Sequence, residues 1–280
     1  MHLGHARTHL VAYLRARSRG GRIVMRIEDL DAPRVREGSV DDFLRAHEWL
    51  GLEYDEGPYF QSARLELYEA TLARLEREGH VYPCACSRKE IEAADPGPAG
   101  DGGLRYPNAC RARAVDRAAR HAMRLRMEEP SPGFTDAVFG EVAPGAVRGD
   151  FVLKRADGYF AYHFAVVVDD LDMGVTEVVR GADLLLATSR QISLHHALGA
   201  TPPGYLHVPL VLGPDGTRLA KSHGSIGVLD YRAQGHSAEA LLGRLAFSLG
   251  LTTTPAPIRA DELVEVFALE RLGTEDAVFD

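Results

Sequence analysis

His2-Leu3-Gly4-His5 opens the chain, a helical stretch covers 6–17, and Arg22-Ile23-Val24-Met25-Arg26-Ile27-Glu28-Asp29-Leu30-Asp31 comes next. The first four residues set two imidazoles at a helix N-terminus, where open backbone N–H groups stabilise an anion. Gly4 lets a flat base or a phosphate come close to the backbone. The helix closes at Gly20-Gly21. The apolar run 22–27 reads as a buried strand with Glu28 at its tip. Helix, glycine break, strand and acidic tip predict an α/β fold with a parallel sheet, its ligands lying beyond the carboxyl ends of the strands. Pattern alone leaves Glu28 either a substrate contact or a loop carboxylate in water.

Working outward, residues 37–50 predict a helix ending at Gly51, 54–59 a turn, and 62–78 a helix closed by Gly79. Residues 121–127 alternate like a strand. Residues 149–155 and 159–162 predict a hairpin about Asp157-Gly158. The run 165–168 is a buried strand or a helix start, ending in Asp169-Asp170. Residues 176–183 predict a strand with Arg180 near its end, suited to clamping a carboxylate or a phosphate, or to pairing with a neighbour such as Asp183. A helix over 188–198, capped by Thr188 or Ser189, carries His195 and His196 as packing or surface residues. A strand over 205–212 leads through Gly213-Pro214-Asp215-Gly216 into Arg218-Leu219-Ala220-Lys221-Ser222, a loop whose lysine suits phosphates. Helices over 238–250 and 260–271 end the chain, and the tail carries no signal.

The three cysteines all fall in 84–110, in the pattern Cys84-x-Cys86 … Tyr106-x3-Cys110. No secretion signal accompanies them, so a disulfide framework is a poor reading. Three thiolates on a loop suit tetrahedral zinc and need a fourth ligand, for which Tyr106 offers a phenolate oxygen; three reduced thiols in a small core remain the alternative. With 280 residues, 45% hydrophobic and 26% charged, the composition is that of a globular protein. No apolar run approaches a membrane span and no leader opens the chain, so no membrane partner and a cytoplasmic, monomeric protein are expected. The net charge of −8 argues against non-specific nucleic-acid binding. It leaves room for local basic faces such as Arg7 to Arg22 and Arg105 to Arg126.

Residues 2–5 resemble the HIGH motif, and residues 218–222 the KMSKS motif, of class I aminoacyl-tRNA synthetases. Between them, Arg26 to Asp31, the Cys/Cys/Tyr/Cys pattern, Ala165 to Asp170 and Val179 to Leu184 narrow the resemblance to the glutamyl-Q tRNA(Asp) synthetases, over roughly 2–225. The resemblance implies a class I Rossmann-type sheet with a zinc-binding insert and a small helical C-terminal part. It divides the chain into 1–80 and 131–225 as the two catalytic halves, 81–130 as the insert and 226–280 as the C-terminal part. It implies activation of glutamate with ATP and Mg2+, without tRNA, and transfer to queuosine in the anticodon loop of tRNA(Asp). Glu28, Tyr162 and Arg180 would hold glutamate. His2, Gly4, His5 and Lys221 would bind ATP, with His2, His5 and Lys221 catalytic. Cys84, Cys86, Tyr106 and Cys110 would hold one structural zinc.

Three departures stand against the pattern. The family carries a strand and a glutamate-binding arginine and serine before the HIGH-like motif, where this chain has only Met1, so a start placed too far downstream is expected. Ala220 stands where a serine is usual. Residues 225–280, notably Phe267-Ala268-Leu269-Glu270-Arg271, look more like glutamyl-tRNA synthetases. A shortened glutamyl-tRNA synthetase charging tRNA(Glu), or a non-catalytic paralogue, therefore stays open.

Overall fold

The computed structural model describes residues 1–31, 38–94, 97–213 and 227–278. Helix α1 (Leu3–Arg17) starts inside the opening motif, because the His2 side chain caps it by accepting from the His5 N–H at 3.3 Å. Its Leu3, Ala6, Leu10, Val11 and Leu14 are buried, the spacing of one helix face. Strand β1 (Val24–Ile27) and helix α2 (Ser39–Trp49) follow. Residues 54–59, expected as a turn, instead contribute β2 (Glu56–Phe60), parallel to β1. The strand is mostly exposed and has no apolar alternation, so the sequence carries no sign of it. Gly57 is required there: at φ 98° a Cβ would lie 2.3 Å from the Met25 carbonyl.

The rest of the chain runs α3 (Leu65–Arg77), β3 (Val81–Cys84), α4 (Arg88–Ala93), β4 (Ala122–Leu125), β5 (Phe134–Asp136), β6 (Gly140–Val142), β7 (Phe151–Lys154), α5 (Tyr162–Asp172), β8 (Glu177–Gly181), α6 (Thr188–Ala197), β9 (Gly204–Val208), β10 (Val211–Leu212), α7 (Val228–Ala233), α8 (Ala238–Ser248), α9 (Ala260–Val266) and β11 (Ala277–Val278). The expected α/β class with parallel strands is observed. A four-stranded sheet has the order β6-β5-β9-β8, with β5, β9 and β8 parallel. β3-β4-β7 forms an antiparallel sheet that bears the first cysteine. β1 and β8, each at the edge of its sheet, face one another across a cavity of about 260 Å³ lined by Val24, Met25, Val178 and Val179. One apolar cluster joins α1, β9, α8 and α9; a second joins α3, β4, β7, α5 and α6.

Three local expectations are corrected, and the choice of strand or helix start for 165–168 falls to the helix. The hairpin about Asp157-Gly158 closes with a single bridge, Lys154 to Phe160, because Tyr162 already opens α5. Residues 165–168 lie in that helix, whose residues Phe164 to Asp170 are all buried, so no face-dependent period could reveal it. Neither Thr188 nor Ser189 caps α6: the cap position is Ala187, and the Thr188 hydroxyl turns to Leu184 O at 3.1 Å. The last helix ends at Val266, and the tail contributes β11, parallel to β10.

Asp169, in α5, has no exposure and accepts from Gln61 Nε2 (2.8 Å), Arg64 Nε (2.7 Å) and the Tyr68 hydroxyl (2.9 Å). Asp169→Ala should therefore cost about 3–5 kcal/mol, read as a large fall in the denaturation midpoint, because two arginines and a tyrosine lose a buried acceptor. Burial also holds His9 down at about 3 and His163 and His195 at about 4, so these rings fold neutral. Their folded values lie below the unfolded value near 6.5, so the unfolded chain takes up protons first as the pH falls. The histidine contribution to stability should be level above about pH 7 and decline from about 6.5 toward 4, partly offset by Glu28 and Asp170, whose raised values act in the opposite sense. His195 is 1% exposed, and its share is on the order of 3 kcal/mol. His195→Leu should flatten the acid limb of a midpoint-against-pH curve, and an unchanged slope would remove His195 from the account.

Candidate functional site

The start of α1 and the ends of β1 and β8 enclose a cavity of about 690 Å³. It lies beyond the carboxyl ends of parallel strands, the place where such sheets bind ligands. Every substrate residue expected from the sequence among the described residues lines it: His2, Gly4 and His5 from α1, Glu28 after β1, Tyr162 at the start of α5, and Arg180 in β8. Lys221 lies outside the described residues. The two histidine rings stack, with centroids 3.7 Å apart. A Cβ on Gly4 would stand 3.1 Å from His2 Cε1, so glycine lets the His2 ring fold onto the helix start.

The cavity wall is charged in an ordered way. Arg26 Nη1 donates to Asp170 Oδ1 at 2.7 Å, its Nη2 reaches Glu28 Oε1 at 3.4 Å, and its Nε stands 3.6 Å from Asp169. Arg26 and Glu28 are two apart on an extended chain and so share a face. Desolvation raises the Glu28 carboxyl above the usual value; Arg26 opposes this, and Asp170 and Asp169 reinforce it. Desolvation, then the Glu28 charge, pushes the Tyr162 hydroxyl up to about 12, so Tyr162 meets a ligand as a neutral donor.

Arg180 is buried and held at every nitrogen. Nη1 donates to Gln191 Oε1 (2.6 Å), Nη2 to Thr188 Oγ1 (2.6 Å) and Nε to His207 Nε2 (3.1 Å). These bonds use three of its five N–H groups, and two remain for a carboxylate or phosphate. The expected alternative, a pair with Asp183, is not among these hydrogen bonds. Sequence reasoning gave Arg26, His9, Thr188, Gln191 and His207 no part in the site, naming Thr188 only as a helix cap and Arg26 only within a motif. His9 had a signal, since it repeats His5 at i+4 on one helix face and lines the same cavity. The partners of Arg180 had none, because they meet only through the fold.

The second cluster is the one expected from the cysteines. The thiols of Cys84, Cys86 and Cys110 all lie within 4.8 Å of one another. The Tyr106 hydroxyl stands 3.2 Å from Cys84 Sγ and 3.6 Å from Cys86 Sγ, and accepts from the Cys110 N–H at 2.9 Å. Asn108 carries the turn between Tyr106 and Cys110 at φ 57°, a conformation asparagine tolerates. Gly149, in the bend before β7, lets the backbone approach, since a Cβ there would lie 2.7 Å from Tyr106 O. Burial disfavours the Cys110 thiolate, but hydrogen bonds from Tyr106 and the Ala85 backbone outweigh it and bring the thiol down to about 7. Three sulfurs and an oxygen at these separations could hold a tetrahedral ion with metal–sulfur bonds of about 2.3 Å.

Residues 1–280 match the catalytic domain of the class I tRNA synthetases (E and Q). The glutamyl-Q tRNA(Asp) synthetase of Symbiobacterium thermophilum is 46% identical over 294 residues, covering 98% of this chain and 91% of that protein. The Deinococcus radiodurans protein of the same name is 46% identical over 288 residues, covering 98% and 95%. Glutamate–tRNA ligase 2 of Koribacter versatilis is 41% identical over 293 residues, covering all of this chain but 61% of the ligase. A glutamate tRNA ligase from Elizabethkingia meningosepticum, crystallised with its amino acid, superposes with a TM-score of 0.84 at 25% identity, covering 100% of this chain and 64% of the other.

Proposed function

The chain belongs to the class I tRNA synthetases of the glutamate and glutamine group, and we propose that it activates glutamate with ATP, without tRNA, and transfers the glutamyl group to queuosine at the wobble position of tRNA(Asp). The observation that carries the reading is the meeting of Glu28, Tyr162 and Arg180 in one cavity with the His2–His5 pair. Glu28 offers an anion to the substrate ammonium, Arg180 offers two N–H groups to a carboxylate, and Tyr162 donates a hydrogen bond. The choice of queuosine rests on the relatives of that name, whose length this chain nearly fills.

The chemistry suits these residues. An ionised glutamate carboxylate attacks the α-phosphorus of ATP; the new C(O)–O–P bond forms as the bond to the β-phosphate oxygen breaks, and pyrophosphate leaves. No general base is needed, because the nucleophile is already ionised at neutral pH. Catalysis is then positioning and charge stabilisation. The backbone N–H groups at the start of α1, with His2 and His5 around them, face the phosphates. Lys221 would neutralise charge on the leaving pyrophosphate, and Mg2+ would arrive with ATP. Cys84, Cys86, Tyr106 and Cys110 would hold one zinc, which ties the insert together as a structural ion. A second reading, charging of tRNA(Glu), is favoured by the match of the whole chain to glutamate–tRNA ligases.

Glutamate-dependent ATP–pyrophosphate exchange without tRNA is the expected activity of this chain. Exchange that begins only on adding tRNA(Glu) would transfer the assignment to the second reading, and silence under both conditions would overturn the proposed activity for this chain. Lys221→Ala should slow exchange about a hundredfold or more, the loss of one transition-state cation contact of about 3–4 kcal/mol. Elemental analysis should find one zinc per chain, lost in Cys110→Ser together with part of the thermal stability; a metal-free protein of unchanged stability would remove zinc from the account.

A further inference from the structure

Behind Arg180 sits a pair of groups that are not part of the cavity lining. Asp136, at the end of β5, and His207, in β9, are both without side-chain exposure, and Asp136 Oδ2 stands 2.6 Å from His207 Nδ1. Asp136 is fixed in turn by the backbone: Oδ1 accepts from the N–H groups of Val138 (3.0 Å) and Phe139 (2.9 Å), and Oδ2 from His207 N–H (3.1 Å). On the far side of the ring, His207 Nε2 faces Arg180 Nε at 3.1 Å, from the register position beside Arg180 in the parallel ladder.

We infer that Asp136 and His207 are positioning residues for substrate binding: Asp136 locks His207 in its neutral Nδ1–H tautomer, and the bare Nε2 fixes the plane of the Arg180 guanidinium. The inference rests on the reading of Arg180 as the carboxylate clamp. Arginine can only donate, so Nε2 must accept, and the single ring proton must sit on Nδ1 facing Asp136. The Nε–H lies in the guanidinium plane and at its root. A hydrogen bond there is the third in-plane anchor, which with Thr188 and Gln191 at the two tips fixes both the plane and the root of the group. Burial lowers His207 and Arg180 lowers it further, while Asp136 and the charge of Asp183 act in the opposite sense; the net shift is downward, which keeps the ring neutral. Hydrogen bonds from His207 and the backbone outweigh the burial of Asp136 and keep it ionised.

Asp136→Asn tests this without a change of shape. The two backbone N–H groups at Oδ1 require the amide oxygen there, which leaves the amide NH2 facing His207 Nδ1, while the His207 backbone N–H keeps Oδ1, at 3.3 Å, as its acceptor. The ring must then move its proton to Nε2 and present an N–H to the Arg180 N–H, with the Thr188 Oγ1 at 3.3 Å, already bonded to Arg180 Nη2, left to accept it. Tautomer reversal should raise the glutamate KM in pyrophosphate exchange about tenfold or more and leave the ATP KM within about twofold. Equal changes in both constants, or none in either, would overturn the inference and leave the pair a packing element. Nitrogen-15 NMR of the histidine rings supplies a readout independent of activity and of the variant's stability. The wild-type ring should show a protonated Nδ1 and a bare Nε2 at pH 7, and an imidazolium or the opposite tautomer would overturn the inference. Failure of the wild type to exchange pyrophosphate with glutamate would sink the glutamate reading alone, since the ring spectrum still decides the tautomer.

Discussion

A carboxylate closed off from solvent holds the two halves of the cavity wall together. Asp169 gathers Arg64 and Tyr68 from the α3 region, Gln61 from the turn before it, and the Nε of Arg26 from β1. Asp170, the next residue of α5, takes the other end of Arg26 at 2.7 Å. Desolvating so many charged groups costs free energy that apolar packing would not, so the cluster is a poor source of net stability. What it supplies is location. Arg26 is anchored to α5 at two points, and Glu28, two residues on, is carried with it to the mouth of the cavity. The same helix begins at Tyr162, so one rigid element sets both the donor and the anion of the candidate site.

Ladder hydrogen bonds do not make this connection. β1 and β8 lie at the edges of separate sheets, with a cavity between them. Side chains and α1 bridge the gap. Arg15 of α1 grips Glu177 of β8 through Nε (2.8 Å) and Nη2 (2.9 Å). Arg7 of the same helix donates to Pro209 O (2.5 Å) and Ser248 O (3.0 Å), tying α1 to the end of β9 and to α8. Helix α1 is thus fixed along its length to the elements bearing Arg180 and His207. Its N-terminus, with His2 and His5, can point in only one direction relative to them.

The parts legible in the sequence were those set by local pattern. The α1 face, the apolar 22–27 run and the Cys84-x-Cys86 spacing each follow from residues near one another, and the structure contains the elements they predict. The candidate ligands Glu28, Tyr162 and Arg180 were legible through resemblance, and they line one cavity. The missed parts are those fixed by distant groups. β2 exists because Gly57 lets its backbone pass the Met25 carbonyl, not because its own residues favour a strand. The uniformly buried stretch in α5 has no polar face to betray its period. Asp136 and His207 are 71 residues apart, and nothing in either neighbourhood points to the other.

Arg180 shows why such distant groups matter to the chemistry. A guanidinium on a strand end has several rotatable bonds, and a carboxylate clamp is useful only if its plane is fixed before the substrate arrives. Here three acceptors from two elements, α6 and β9, take one N–H from each nitrogen. Each acceptor is itself constrained: Thr188 by Leu184 O, Gln191 by His163 at 3.3 Å, and His207 by Asp136. The entropy of ordering the arginine is therefore met on folding rather than on binding, and a carboxylate ligand would meet a preformed fork. Glu28, by contrast, is 41% exposed and, among the described residues, is paired through one long contact to Arg26 at 3.4 Å, so it can adjust to a cation. A rigid cationic wall facing a compliant anionic one suits a zwitterion whose carboxylate must be aimed and whose ammonium need only be held.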